Sequence, residues 1–281
     1  MYANSFLEDA WIHLTAKAGY TADDPRGYFC HFEYHRHMTK DGRPSPFKDT
    51  RLFNGEWISS DEHAALAFAR RLTWWLNGEG FGIGHTPALY VYYTSDLPVG
   101  EVEADAPRYT PDDWWFRKVR VGVPQGFPGD SIVNAAEDGL VAVLKALKPE
   151  NADMIDRARE IVSSTGDECR FLLKVKDSAK QIVEISTTIG VFREPSLFYV
   201  GMTDKATGFY REAPPEKLDF YDDGIFLAGK VKIVRHGVDI VPRTSYIARL
   251  IAENSLKAAI WSIDEFVETE RPIMSGLLKF R

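Results

Sequence analysis

Cysteine is nearly absent. The chain carries two, Cys30 and Cys169, with no CxxC spacing, and this excludes a disulfide scaffold. Both are expected to be reduced thiols in a cytoplasmic protein. No run of about 18 apolar residues occurs, so no membrane-spanning helix is expected. The opening stretch "MYANSFLEDAWIHL" has neither a basic nor a long apolar region, so it does not read as a signal peptide. Positive charge is also scarce. With 34 Lys and Arg against 41 Asp and Glu, the net charge is −7, which argues against nucleic acid as the main partner. The signatures HExxH and GxSxG are missing, as is a strand-first glycine fingerprint. The glycines of "GEGFGIGHT" follow a helix and precede a strand, the reverse of the order in dinucleotide-binding folds, and instead form a loop closing that helix.

What remains is an ordinary globular composition, 44% apolar and 27% charged, in a chain of 281 residues, long enough to bury a core unaided. The spacing of Leu7, Trp11, Leu14 and Ala18 predicts a helix over Ser5–Ala18. "SSDEHAALAFARRLTWWL" is a second helix, with a stripe of Ala64, Ala65, Phe68, Leu72, Trp75 and Leu76. "ALYVYYT" and "WFRKVRVGV" read as strands, and a helix follows to about Leu147. A short helix over Met154–Val162 comes next. "CRFLLKVK" and "QIVEISTTI" form a hairpin around "DSAK", followed by strands in "SLFYVGMT" and "GIFLAGKVKIV". Ile247, Leu250, Ile251, Ala258 and Trp261 predict a long C-terminal helix over Ser245–Glu268. The fold class is α+β, mainly antiparallel sheet with packed helices. The polar "KPENAD" divides residues 1–148, an α+β half, from 149–281, a β-rich half with the terminal helix, although the two could also form one compact domain.

Three stretches carry candidate chemistry. In "YFCHFEYHRH" strand alternation puts His31, Glu33, His35 and His37 on one face, with Cys30 on the other. Neighbours on that face are about 6–7 Å apart, close enough for two imidazoles to meet on one ion, but ligands strung along one strand diverge. The face therefore reads as a solvated polar strand, with a metal site or a His/Glu catalytic cleft as the sharper alternatives. No metal or other cofactor is expected. "YTPDDWWF" sets Asp112 and Asp113 beside Trp114 and Trp115, and it closes a segment from Asp96 holding six acids and one base. "LDFYDDGIF" similarly combines Asp219, Tyr221, Asp222 and Asp223. Aromatic anchors with steering carboxylates are the ingredients of a protein interface, here one for a basic protein. The expectation is a non-enzymatic binding protein, for example an immunity-type inhibitor of a basic toxin or effector domain. A metal-dependent hydrolase, a nucleotide-processing enzyme, or a structural subunit of a phage or secretion assembly are the alternatives.

Ser59 and Ser60 in "WISS", followed by Glu101 and Glu103 in "EVE", loosely resemble the Ser-Thr-Ser and Glu-x-Glu motifs of ADP-ribosyltransferases. The resemblance implies a nucleotide-processing site built around those four residues. Ser59 with Glu62 also fits a helix capping box.

Overall fold

A computed structural model describes Leu7, Asp9–Leu14 and residues 60–84, 88–94, 97–104, 116–124, 132–191, 194–255 and 260–280. The chain divides into two compact units. One comprises Met1–Thr73 with Phe81–Ser163, and the other Trp74–Gly80 with Ser164–Arg281.

The first unit contains a four-stranded sheet of β1 (Asp9–Leu14), β2 (Ala88–Thr94), β3 (Val102–Ala104) and β4 (Phe116–Gly122), in the order β1-β2-β4-β3. β1 and β4 both run parallel to β2, and β3 runs antiparallel to β4. Leu89, Val91 and Tyr93 of β2 are fully buried, as expected of a strand paired on both sides. The helix expected over Ser5–Ala18 is corrected here: residues 9–14 form β1. Its main chain pairs with β2 from Asp9↔Ala88 to Leu14↔Tyr93. Cross-strand pairing outweighs the helical spacing of four apolar side chains, and Trp11 and Ile12 are good strand residues. α2 (Ile132–Leu147) ties to the sheet where the Tyr93 hydroxyl donates to the Ala136 carbonyl at 2.6 Å. A 3-10 turn at Pro149–Asn151 leads into α3 (Ala152–Thr165), and the pairs Lys145–Asp156 and Arg159–Asp138 bind the two helices together.

α1 spans Ser60–Gly78. Its expected stripe is buried from Ala65 to Leu76, and so are Leu66, Ala67, Ala69, Thr73 and Trp74 on its other sides. A buried hydroxyl on a helix needs a hydrogen-bond partner. Thr73 Oγ1 accordingly donates to the Ala69 carbonyl at 2.8 Å.

Among its described residues the second unit is antiparallel, apart from one isolated parallel bridge between Arg170 and Met274. β5 (Phe171–Asp177), β6 (Gln181–Thr187), β7 (Ser196–Asp204), β8 (Tyr210–Glu212), β9 (Glu216–Leu218) and β13 (Val267–Glu268) form one sheet in the order β13-β8-β7-β6-β5, with β9 also paired to β7. The β5–β6 hairpin expected around "DSAK" is present. Ser178 closes its turn, donating from N–H to the Gln181 carbonyl and accepting at Oγ from the Gln181 N–H. A smaller sheet joins β10 (Lys230–Val234), β11 (Gly237–Val241) and β12 (Ile260–Ser262). The single strand expected over "GIFLAGKVKIV" is instead a short helix, α4 (Asp223–Leu227), followed by β10.

The long C-terminal helix is not found. α5 spans only Tyr246–Ser255, and β12, a 3-10 turn at Ile263–Glu265 and β13 follow. Trp261, which continues the helical spacing, is buried through strand pairing with Val238 and through its ring, 6.1 Å from Phe198. Ser262 and Glu265 then form a capping box. That local start signal reaches only a single turn.

Residues 270–280 run as an irregular strap along β5. The Ser275 N–H donates to the Arg170 carbonyl at 3.0 Å, and the Leu278 N–H to the Leu172 carbonyl at 2.9 Å. Asn77 and Lys279 bond reciprocally, Asn77 Oδ1 accepting from the Lys279 N–H at 2.7 Å and Nδ2 donating to the Lys279 carbonyl at 3.3 Å. Gly78 and Gly276 meet backbone to backbone. A Cβ on Gly276 would lie 2.3 Å from the Gly78 carbonyl oxygen, so glycine is required there.

Candidate functional site

Side-chain alternation divides the six-stranded sheet into two unlike faces. Val183, Ile185, Phe198, Val200 and Met202 make one face, and all are buried. The opposite face carries Glu184 and Ser186 from β6, Tyr199 and Gly201 from β7, and Tyr210 and Glu212 from β8. Register holds them together, with Ser186 opposite Tyr199 and with Glu184, Gly201 and Glu212 in one row. Gly201 leaves room for the Tyr210 ring, whose hydroxyl a Cβ would meet at 2.0 Å.

Two arginines enter this face. Arg170, just before β5, forks onto Glu212, Nη2 to Oε2 at 2.9 Å and Nη1 to Oε1 at 3.3 Å. Nη1 also donates to Ser186 Oγ at 3.3 Å, and the guanidinium carbon lies 3.0 Å from the Tyr199 ring centroid. The Tyr210 hydroxyl donates to Glu212 Oε1 at 2.7 Å. Arg271, from the strap, forks onto Glu184, Nε to Oε2 at 2.9 Å and Nη2 to Oε1 at 2.7 Å. These hydrogen bonds to Glu184 hold the Arg271 guanidinium above its ordinary pKa.

The surroundings are acidic and aromatic. Tyr199 is half-buried, and the neighbouring Asp167 and Glu168 are exposed. Burial first, then Glu212, Glu168 and Asp167, push the Tyr199 phenol up, against the pull of Arg170. Burial first, then Glu212, does the same to Tyr210. Val175, opposite Glu184, and Val267, opposite Glu212, put exposed aliphatic surface on the same face.

The residues singled out in the sequence fall differently. Of "LDFYDDGIF", Asp219 is exposed and Asp222 half-buried just before α4. The Tyr221 ring sits 5.6 Å from that of Trp74. Asp223 is buried, and its Oδ2 accepts from the Phe220 N–H at 3.1 Å. Asp112, Asp113, Trp114 and Trp115 lie outside the described residues, as do His31, Glu33, His35 and His37. Among the described residues no group of three or more His, Cys, Asp or Glu is placed to hold a metal ion. Ser59 also lies outside them, while Ser60 opens α1 and Glu103 on β3 pairs with Arg120.

Arg170, Glu184, Tyr199, Glu212 and Arg271 escaped sequence reading because they are far apart in the chain. The available signal was a carboxylate inside an apolar strand, Glu184 in "QIVEIST"; Glu212, in "YRE", carried none.

The chain matches no protein-family model, no curated protein and no solved structure. Among the described residues, no helix is long and apolar enough to cross a membrane.

Proposed function

We propose that this chain is a binding protein that engages a basic protein partner through the polar face of its six-stranded sheet. The supporting observation is Tyr199, a half-buried ring fixed on this face by the Arg170 guanidinium 3.0 Å from its centroid, with the exposed carboxylates Asp167 and Glu168 beside it. Tyrosine is a favoured interface anchor because it offers a large rigid surface and a polar tip. Exposed carboxylates around it speed encounter with a positively charged partner. Val175 and Val267 add apolar area to the same face. The formal charge of −7 favours the same class of partner at longer range. Neutralising a basic toxin or effector domain is the biological role this reading carries.

The test is co-purification with the wild-type chain, with Asp167→Asn/Glu168→Asn and with Tyr199→Ala, each at low and high salt, the partner being identified by mass spectrometry. A basic partner held by the wild type, weakened by salt and lost from both variants is expected. Equal retention by all three chains, or an acidic partner, overturns the reading.

A further inference from the structure

The two ion pairs on the polar face are built differently. Arg170 and Glu212 are both largely buried, their side chains 11% and 14% exposed. Arg170 is fixed by Glu212, Ser186, the Tyr199 ring and the Met274 bridge of its own backbone. In the other pair only the carboxylate is built in. The Glu184 side chain is 8% exposed and stands on β6, which is paired on both sides, whereas that of Arg271 is 49% exposed. Arg271 arrives on the irregular strap, between the Thr269 N–H bond to the Tyr210 carbonyl and the Met274 bridge. Among the described residues, no hydrogen bond or ion pair other than its fork onto Glu184 ties residues 270–273 of the strap to the sheet.

We propose that Glu184 is a guanidinium-reading position and that Arg271 is its internal occupant, exchangeable for an arginine of the basic partner. This rests on the polar-face reading above and adds a specificity and a brake to it. A carboxylate presenting both oxygens to a planar fork selects arginine over lysine, which offers only a point charge. An internal arginine in that place competes with the incoming one and lowers apparent affinity by the fraction of time the place is filled.

The experiment titrates the full chain with hexa-arginine and hexa-lysine peptides, with thermal melts confirming that every variant is folded. Arg271→Ala should bind hexa-arginine about tenfold tighter than wild type, the gain expected when a mostly filled site is vacated. Arg271→Lys, which keeps the charge and loses the fork, should also bind it more tightly. Arg235→Ala removes the same charge from an exposed turn and should leave binding unchanged. Adding Glu184→Gln to Arg271→Ala should abolish the gain, and hexa-lysine should show none. The exchange is overturned if Arg271→Ala and Arg271→Lys bind no tighter than Arg235→Ala, if the gain survives Glu184→Gln, or if hexa-lysine gains equally. If Tyr199→Ala and Asp167→Asn/Glu168→Asn weaken peptide binding while the Arg271 variants do nothing, the exchange alone falls. If no variant alters peptide binding, the polar-face reading falls and the exchange with it.

Discussion

The two faces of the six-stranded sheet share one backbone and divide its work. On one, every inward residue from Val183 to Met202 is apolar or small and buried, and its contribution is area removed from water. On the other, charges and phenols are satisfied by one another, which contributes little net stability but fixes their geometry. A single strand such as β6 serves both, with Val183 and Ile185 on one side and Glu184 and Ser186 on the other. Antiparallel sheets permit this because one face can stay open to water or a partner. The difference therefore predicts that stability and recognition can be altered separately by substitutions one residue apart.

The largest effect should come from the apolar face. Phe198 is fully buried, and Phe198→Ala should lower stability by about 3–5 kcal/mol in urea denaturation. A loss below about 1 kcal/mol would break the assignment of that face as core. Next comes Arg170→Ala, which leaves Glu212 buried without its fork and should cost about 2–4 kcal/mol. The double variant Arg170→Met/Glu212→Leu should recover most of that loss, as replacing both partners of a buried pair often does.

A smaller effect is expected at high pH. Tyr210 on the polar face, and Tyr93 in the first unit, have phenols raised by burial. A proton held more tightly in the folded state stabilises fully below the unfolded tyrosine pKa of about 10, and that stability is lost as pH climbs through the folded value. Each of the two should therefore cost about 1 kcal/mol by one pH unit above the unfolded value of about 10. Tyrosinate absorbance at 295 nm should show these two groups ionising together with unfolding, not before it. The smallest effect is Arg271→Ala, about 1 kcal/mol or less, because its guanidinium is half-exposed. A cost as large as that of Arg170→Ala would erase the distinction between the two pairs.

Periodicity made much of the fold legible. α1, α2 and α3, β2 and β4 to β7, and the turn between β5 and β6 follow from apolar spacing and turn residues. It failed at β1 and after α5, where pairing to a distant strand decides the conformation and the local pattern also fits a helix. Trp261 illustrates the ambiguity, because a buried ring satisfies a helical stripe and a strand face equally well. The polar face was illegible for a related reason. Its members, from Glu168 to Arg271, become neighbours only through sheet register, which no short window of sequence contains. The segment "LDFYDDGIF" was legible as acidic and aromatic, but sequence could not separate Asp219, which is exposed, from Asp223, which is buried.

The reciprocal bonds between Asn77 and Lys279 join residues 202 apart in the chain. On the ribosome the last turn of α1 emerges long before the strand edge and strap that cover it. Until residue 280 is out, Trp74 lacks the Phe280 ring that ends 5.1 Å from its own, and β5 lacks the strap along its edge. An apolar helix end and an open strand edge are the features that chaperones hold and that aggregation exploits. The second unit is therefore expected to complete its folding only once the strap has been made, with docking of the strap among its longest-range closures.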